Sequence, residues 1–227
     1  MKRFSPRDFL DFVSHFYSMK PSPVVFSFAL SLVCLIATAF VRAEPASDAV
    51  ALAPIFNGKD LTGWASKDMT DFWRVEQGGV LVGESDGKLS ENYLLSEKEY
   101  GDFVLEFEVR WMGETDTGID FRKPRIQLQL GVSRSLKRDM SGSFYVGKPG
   151  YPEAGQAKDA AKLMHPEGQW NAFRLEAKGS TYTVWINGQK AARYTDDKFL
   201  GAAPLGLQIH GGLKMKVEYR NIRAAAL

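Results

Sequence analysis

The stretch DFVLEFEVRW, residues 102–111, limits what this chain can become more than any other. Phe103, Leu105, Phe107, Val109 and Trp111 share one phase of a two-residue period, and Val104, Glu106, Glu108 and Arg110 share the other. A strand sends alternate side chains to opposite faces, so this segment reads as a strand with one apolar face. Similar short runs follow at 79–83, 125–131, 142–147, 170–179, 181–188, 204–211 and 214–222. All are rich in β-branched and aromatic residues, and Gly, Asn, Asp or Pro bounds most of them. Asn187-Gly188 predicts a tight hairpin turn. Residues 149–168 carry Pro, Gly and Ala without strand patterning and read as a surface loop with room for one helical turn. Many strands and few helices predict an all-β fold: two antiparallel sheets packed face to face as a β-sandwich.

The first 43 residues stand apart from this pattern. Residues 24–41 are apolar and uncharged, four Lys or Arg side chains precede them, and Val41-Arg42-Ala43 follows. This is the layout of a secretory signal cleaved after Ala43; an uncleaved membrane anchor is the alternative. Residues 44–53 read as a short linker and residues 54–227 as one domain. Without the leader the chain holds 24 basic and 25 acidic side chains. That balance argues against nucleic acid as a partner. The one cysteine, Cys34, lies in the leader, so thiol catalysis and thiolate metal sites are excluded from the domain. An exported protein with no stable membrane span after cleavage is the expectation, secreted or periplasmic.

The phase opposite the core carries the chemistry. Asp120 and Arg122 oppose Ile119 and Phe121; Gln127 and Gln129 oppose Ile126, Leu128 and Leu130; Gln208 and His210 oppose Leu207 and Ile209. Gln, His and Arg in place of Lys, Thr and Ser suggest a hydrogen-bonding surface, although a solvated outer face would show the same alternation. Histidine is the side chain whose unperturbed pKa, about 6.5, lies nearest neutrality, which makes His210 the best candidate base or metal ligand by residue type. Glu108 and Arg110 can equally form cross-strand ion pairs. Tyr145 and Tyr151 are candidates to present ring faces to a ligand. No His-x-His pair or carboxylate ladder marks a metal site.

Taken together, PIFNGKDLTGW (54–64), FWRVEQGGVLVG (72–83), TGIDFR (117–122), GQWNAFRLEAKG (168–179), YTVWINGQ (182–189), LGLQIHGG (205–212) and VEYRNIRAAAL (217–227) resemble the 3-keto-disaccharide hydrolase domain family. The resemblance implies an exported, concanavalin A-like jelly roll acting on a sugar already oxidised at carbon 3. A 3-keto group acidifies the proton on carbon 2. A base then removes that proton, the glycosidic oxygen leaves by elimination, and water adds back. A donor or a divalent metal ion stabilises the enolate. The resemblance maps Glu108, Arg110, Arg122, Gln127, Gln129, Gln208 and His210 onto a polar concave face. With the site on that face, His210, Arg122, Glu108 and Asp120 are the catalytic candidates, and Gln127, Gln129, Gln208, Arg110 and Tyr145 the substrate-binding ones. The chain departs from the family where carboxylates are expected, carrying Gln127 and Gly131 instead. Gln cannot act as a general base. The departure keeps open a glycan-binding sandwich without catalysis, and an interaction domain of the cell envelope.

Overall fold

A computed structural model describes residues 50–65, 72–88 and 90–227. The expected signal segment lies outside the described residues, as does most of the expected linker. Among the described residues no helix is long and apolar enough to cross a membrane.

The chain runs through β1 (Ala53–Pro54), β2 (Trp64–Ala65), β3 (Trp73–Glu76), β4 (Val80–Asp86) and β5 (Asn92–Tyr100). It continues through β6 (Phe103–Trp111), β7 (Asp116–Phe121), β8 (Ile126–Ser133), β9 (Arg138–Asp139) and β10 (Phe144–Tyr145). After the loop that holds a 3-10 turn (Glu153–Gly155) and the one-turn helix α1 (Ala160–Leu163) come β11 (Asn171–Lys178), β12 (Thr181–Ile186) and β13 (Gln189–Thr195). The last strands are β14 (Ala203–Ile209) and β15 (Lys214–Ala226). The first sheet has the order β13-β12-β11-β6-β15-β4-β3, with β1 against β15. The second has the order β10-β8-β7-β14-β5-β2, with β9 against β8. Every strand pairing within them is antiparallel, so the expected two-sheet β-sandwich is the observed architecture.

The apolar phases read from the sequence face each other between the sheets. Phe103, Leu105, Phe107 and Val109 of β6 pack with Ile119 and Phe121 of β7, Leu128 and Leu130 of β8, and Leu207 and Ile209 of β14. An aromatic chain runs through this layer, with Phe103 edge-on to Phe121 and Phe121 edge-on to Tyr182. Asn187 and Gly188 both take left-handed backbone between β12 and β13, as the hairpin reading requires.

Two features of the structure lie outside the sequence reading. Ala53 and Pro54 pair with Ala224 and Arg223 of β15 in the first sheet. The strand β5 carries no long apolar alternation, yet it lies beside β14 and forms one side of the site.

Candidate active site on the second sheet

The outer face of the second sheet is polar but not solvated. Gln127 and Gln129 of β8, Gln208 of β14, and Asp116 and Asp120 of β7 are each at least nine-tenths buried. The end of β8 at Ser133 with Ser135 beyond it, Tyr145 of β10 with Tyr151 in the loop that follows, and the side chains of Tyr93 and Arg125 border this face. Between them lies a cavity of about 180 Å³. One glycine makes its floor possible. A Cβ on Gly118 would lie 2.6 Å from the Leu128 carbonyl oxygen and 2.7 Å from the Gln127 side chain. Without that Cβ, Gln127 reaches from β8 over β7 to β14, where its Nε2 donates to Gln208 Oε1 at 3.0 Å.

His210 stands at one wall, its side chain about one-third exposed, with Nε2 4.0 Å from Asp116 Oδ2. Its Nδ1 lies 2.8 Å from the Gly211 carbonyl oxygen. A carbonyl only accepts, so Nδ1 carries the proton and neutral His210 keeps its lone pair on Nε2. Asp116 is held from both sides: Gln129 Nε2 donates to Oδ1 at 2.8 Å and the Arg134 backbone N–H donates to Oδ2 at 2.8 Å. Gln129 is oriented in turn by the Tyr151 hydroxyl, which donates to its Oε1 at 2.8 Å. Burial pushes the Tyr151 phenol up to about 12, so it stays a donor.

A second network closes the opposite wall. Arg125 Nη1 donates to the Tyr93 hydroxyl at 2.6 Å and to Asp120 Oδ2 at 3.1 Å. The Tyr93 hydroxyl donates to Glu91 at 2.9 Å and accepts from Gln208 Nε2 at 3.1 Å; Gln208 Nε2 also donates to Glu91. Asp120 lies beneath these groups and does not line the cavity. Burial pushes its carboxyl up to about 7 against the opposing pull of the Arg125 charge.

Three sequence candidates belong elsewhere. Glu108 and Arg110 are on β6 of the first sheet, where Arg110 pairs with Glu218 and Glu108 with Arg220 across β15. Both guanidiniums lie over the Trp170 ring, 4.6 Å from its centre for Arg110 and 4.2 Å for Arg220. They form a cross-strand lattice on the far side of the sandwich from the cavity. Arg122 departs for a local reason. Its backbone is left-handed, φ 66°, so the alternation that put it in phase with Asp120 ends there. The side chain is buried, donating to Asp102 at 2.7 Å and to the carbonyls of Gly179 and Leu200 at 3.1 Å each. Arg122 is a structural clamp outside the cavity.

Of the remaining candidates, His210, Gln127, Gln129, Gln208 and Tyr145 line one cavity. Sequence reasoning gave no role to Glu91, Asp116, Arg125 or Arg134, which also line it. Asp116 was accessible in principle: it has the same phase as Gly118 and Asp120. At Gly131 the backbone is left-handed, φ 79°, and a Cβ would sit 2.1 Å from the Thr115 carbonyl oxygen. No carboxylate can stand there. Asp116 and Glu91 supply the cavity's carboxylates from β7 and from the residue preceding β5.

The donor set does not fit a divalent cation. Among the described residues no three His, Cys, Asp or Glu side chains gather to hold a metal. Asp116 and Glu91 each already accept two hydrogen bonds, and beside them and His210 the cavity lining is amide, hydroxyl and guanidinium.

Residues 52–225 match the 3-keto-alpha-glucoside-1,2-lyase-like domain, and the chain belongs to that family. The match supports hydrolase or lyase action on 3-keto-glycosidic bonds. No curated protein matches the chain. Among solved structures, a candidate glycosyl hydrolase from Parabacteroides distasonis is 22% identical, with TM-score 0.57 over 78% of this chain and 94% of that one. A carbohydrate binding module from Bacillus subtilis is 13% identical, with TM-score 0.51 over 72% of this chain and 96% of that one. A kappa-carrageenase from Pseudoalteromonas carrageenovora is 9% identical, with TM-score 0.53 over 80% of this chain and 98% of that one. At these identities the likenesses establish a shared fold.

Proposed function

We propose that the protein cleaves 3-keto-glycosides by elimination and rehydration, with His210 as the base. The observation that carries this reading is the placement of His210 Nε2, unprotonated in the neutral ring, 4.0 Å from the fixed carboxylate of Asp116 inside a cavity, where the carboxylate can pair with the ring once it takes up a proton. Nε2 takes the proton from carbon 2, and the electron pair of that bond forms the C2=C3 double bond of an enolate. The imidazolium so formed faces Asp116. When the C3 carbonyl re-forms, the double bond moves to C1=C2, the bond from C1 to the glycosidic oxygen breaks, and the imidazolium returns its proton to that oxygen. Water then adds its hydroxyl to C1 and a proton to C2. Gln127, Gln129 and Gln208, whose Nε2 groups already donate within the site, offer amide oxygens to sugar hydroxyls, and Tyr145 offers a ring whose centre lies 5.1 Å from that of Tyr151.

We infer further that the sheets follow a concanavalin A-like jelly roll, a reading supported by their antiparallel strand orders and the likeness to carbohydrate-acting domains. Export through the N-terminal signal, to the periplasm or medium, is part of the same proposal and rests on the sequence of residues 1–43.

The test is incubation of the protein with 3-keto-trehalose and with 3-keto-lactose, beside His210→Ala. Release of the 3-keto monosaccharide by the wild type and its loss in the variant is the expected result. The amide-rich cavity also suits glycan binding without cleavage. Saturable binding with no turnover would establish that reading and sink the enzyme.

A further inference from the structure

The hydrogen bonds of Arg125 are unevenly distributed. A guanidinium has five N–H groups, two on each Nη and one on Nε. The two on Nη1 match its two acceptors, the Tyr93 hydroxyl at 2.6 Å and Asp120 Oδ2 at 3.1 Å. Among the described residues no hydrogen bond leaves Nη2 or Nε, yet Arg125 lines the cavity and its side chain is half exposed. Adjacent Nη2 and Nε donors form the edge that binds two coplanar oxygens at once.

The partners of Nη1 are themselves fixed. Tyr93 uses its only proton on Glu91 and both acceptor positions on Arg125 and Gln208. Asp120 is buried beside Gln127, its register partner on β8. The guanidinium also lies over the Tyr93 ring, 5.7 Å from its centre. These contacts set the direction of the free edge before any ligand arrives. Preorganisation of this kind makes a donor effective toward charge that develops only in the transition state.

On the reading that His210 removes the proton from carbon 2, the first intermediate has oxygens on C2 and C3 held in the plane of the new double bond, with negative charge on O3. The intact 3-keto sugar has no such planar pair, because its C2 is tetrahedral. We propose that Arg125 is a catalytic residue that binds the O2 and O3 atoms of this enediolate through its Nη2–Nε edge, with Asp120 and Tyr93 as its positioning residues. The step needs no further reactant: the proton goes to His210 Nε2, and the electron pair it leaves becomes the charge that Arg125 binds. The role that the family resemblance lent to Arg122 falls instead to the arginine three residues on.

The experiment measures 3-keto-trehalose turnover by the wild type, Arg125→Lys and Arg125→Ala, with melting curves to establish that the variants fold. Arg125→Lys keeps a charge but loses the fork. It is expected to lower kcat by about 10²- to 10³-fold while KM moves only a few-fold, the pattern of an interaction made in the transition state. Added guanidinium should restore part of the activity of Arg125→Ala and none in His210→Ala. Asp120→Asn should lower kcat less, about 10-fold, and have no further effect once Arg125 is alanine. Arg125→Lys within about 3-fold of wild-type kcat, or a loss confined to KM, overturns the proposal while leaving His210 as the base. Absence of turnover by the wild type removes the elimination reading, and this inference with it.

Discussion

Replacing Asp120 by Asn gives a test of the site that needs no substrate. Asp120 is buried in the second sheet's polar face, and its Oδ1 has no hydrogen-bond partner among the described residues. Burial outweighs the attraction of Arg125 and lifts the carboxyl from 3.8 to about 7. Between those values the folded protein retains a proton that the unfolded chain has released. Unfolding therefore releases a proton there, and the contribution of Asp120 to stability falls as pH rises from about 4 to about 7. Each unit is worth about 1.4 kcal/mol, so the full window amounts to on the order of 4 kcal/mol. The Asp120 side chain is only 11% exposed, so solvent screening removes little of this.

Asn has the same shape and no titration. Urea unfolding of both proteins at pH steps across that window isolates the effect, because other carboxylates contribute equally to both. Among these is Asp60, held down to about 2 by hydrogen bonds from Asn57 and Thr62, which acts in the opposite sense at lower pH. Relative to the wild type, Asp120→Asn should gain stability steadily from about pH 4 to about pH 7 and hold the gain above it. A stability difference that stays flat across the window refutes the burial argument. A difference that changes in the opposite direction means the Arg125 charge outweighs desolvation.

Two further substitutions separate the floor of the cavity from the clamp outside it. Gly118→Ala places a methyl against Leu128 O and the Gln127 side chain, so Gln127 must swing off Gln208. The expected cost is about 1–3 kcal/mol in unfolding, with a loss of sugar affinity measurable by calorimetry. Arg122→Met removes the donor to Asp102, Gly179 and Leu200 and should destabilise by about 2–4 kcal/mol in urea unfolding. A Met variant as stable as wild type would show that Arg122 is not the clamp its contacts describe.

The sandwich was legible because its core strands keep strict alternation. Phe103 to Trp111 and Ile126 to Leu130 each have one phase that only a buried interior can accept. The same alternation correctly put Gln127, Gln129, Gln208 and His210 on one face. It could not say to which sheet a strand belongs, and that is why Glu108 and Arg110, equally polar and equally in phase, were grouped with them. Period-2 reasoning also fails wherever the backbone leaves the β region. Arg122, at φ 66°, is the instance here, since a single left-handed residue redirected its side chain from the site to the clamp. Glu91 and Tyr93 were hidden for another reason. The strand β5, which begins just after Glu91 and carries Tyr93, owes its place to pairing with β14 rather than to a patterned apolar face of its own.

The cavity's amides are where local preference is least informative and tertiary structure most so. A Gln side chain has two donors and an acceptor and can point either end at a ligand. Here each is oriented by a group that can only accept or is already committed. Asp116 takes the Nε2 of Gln129, Glu91 takes the Nε2 of Gln208, and Gln208 Oε1 takes the Nε2 of Gln127. The carboxylates missing from β8 are thus replaced by amides whose direction is set by carboxylates on neighbouring segments. Gln127 is oriented through Gln208, and Gln208 shares Glu91 and Tyr93 with Arg125, so the sugar-facing floor and the guanidinium are parts of one hydrogen-bonded unit. In the proposed reaction, charge developing on a ligand at Arg125 would meet groups already in place, with His210 as the base at the opposite wall.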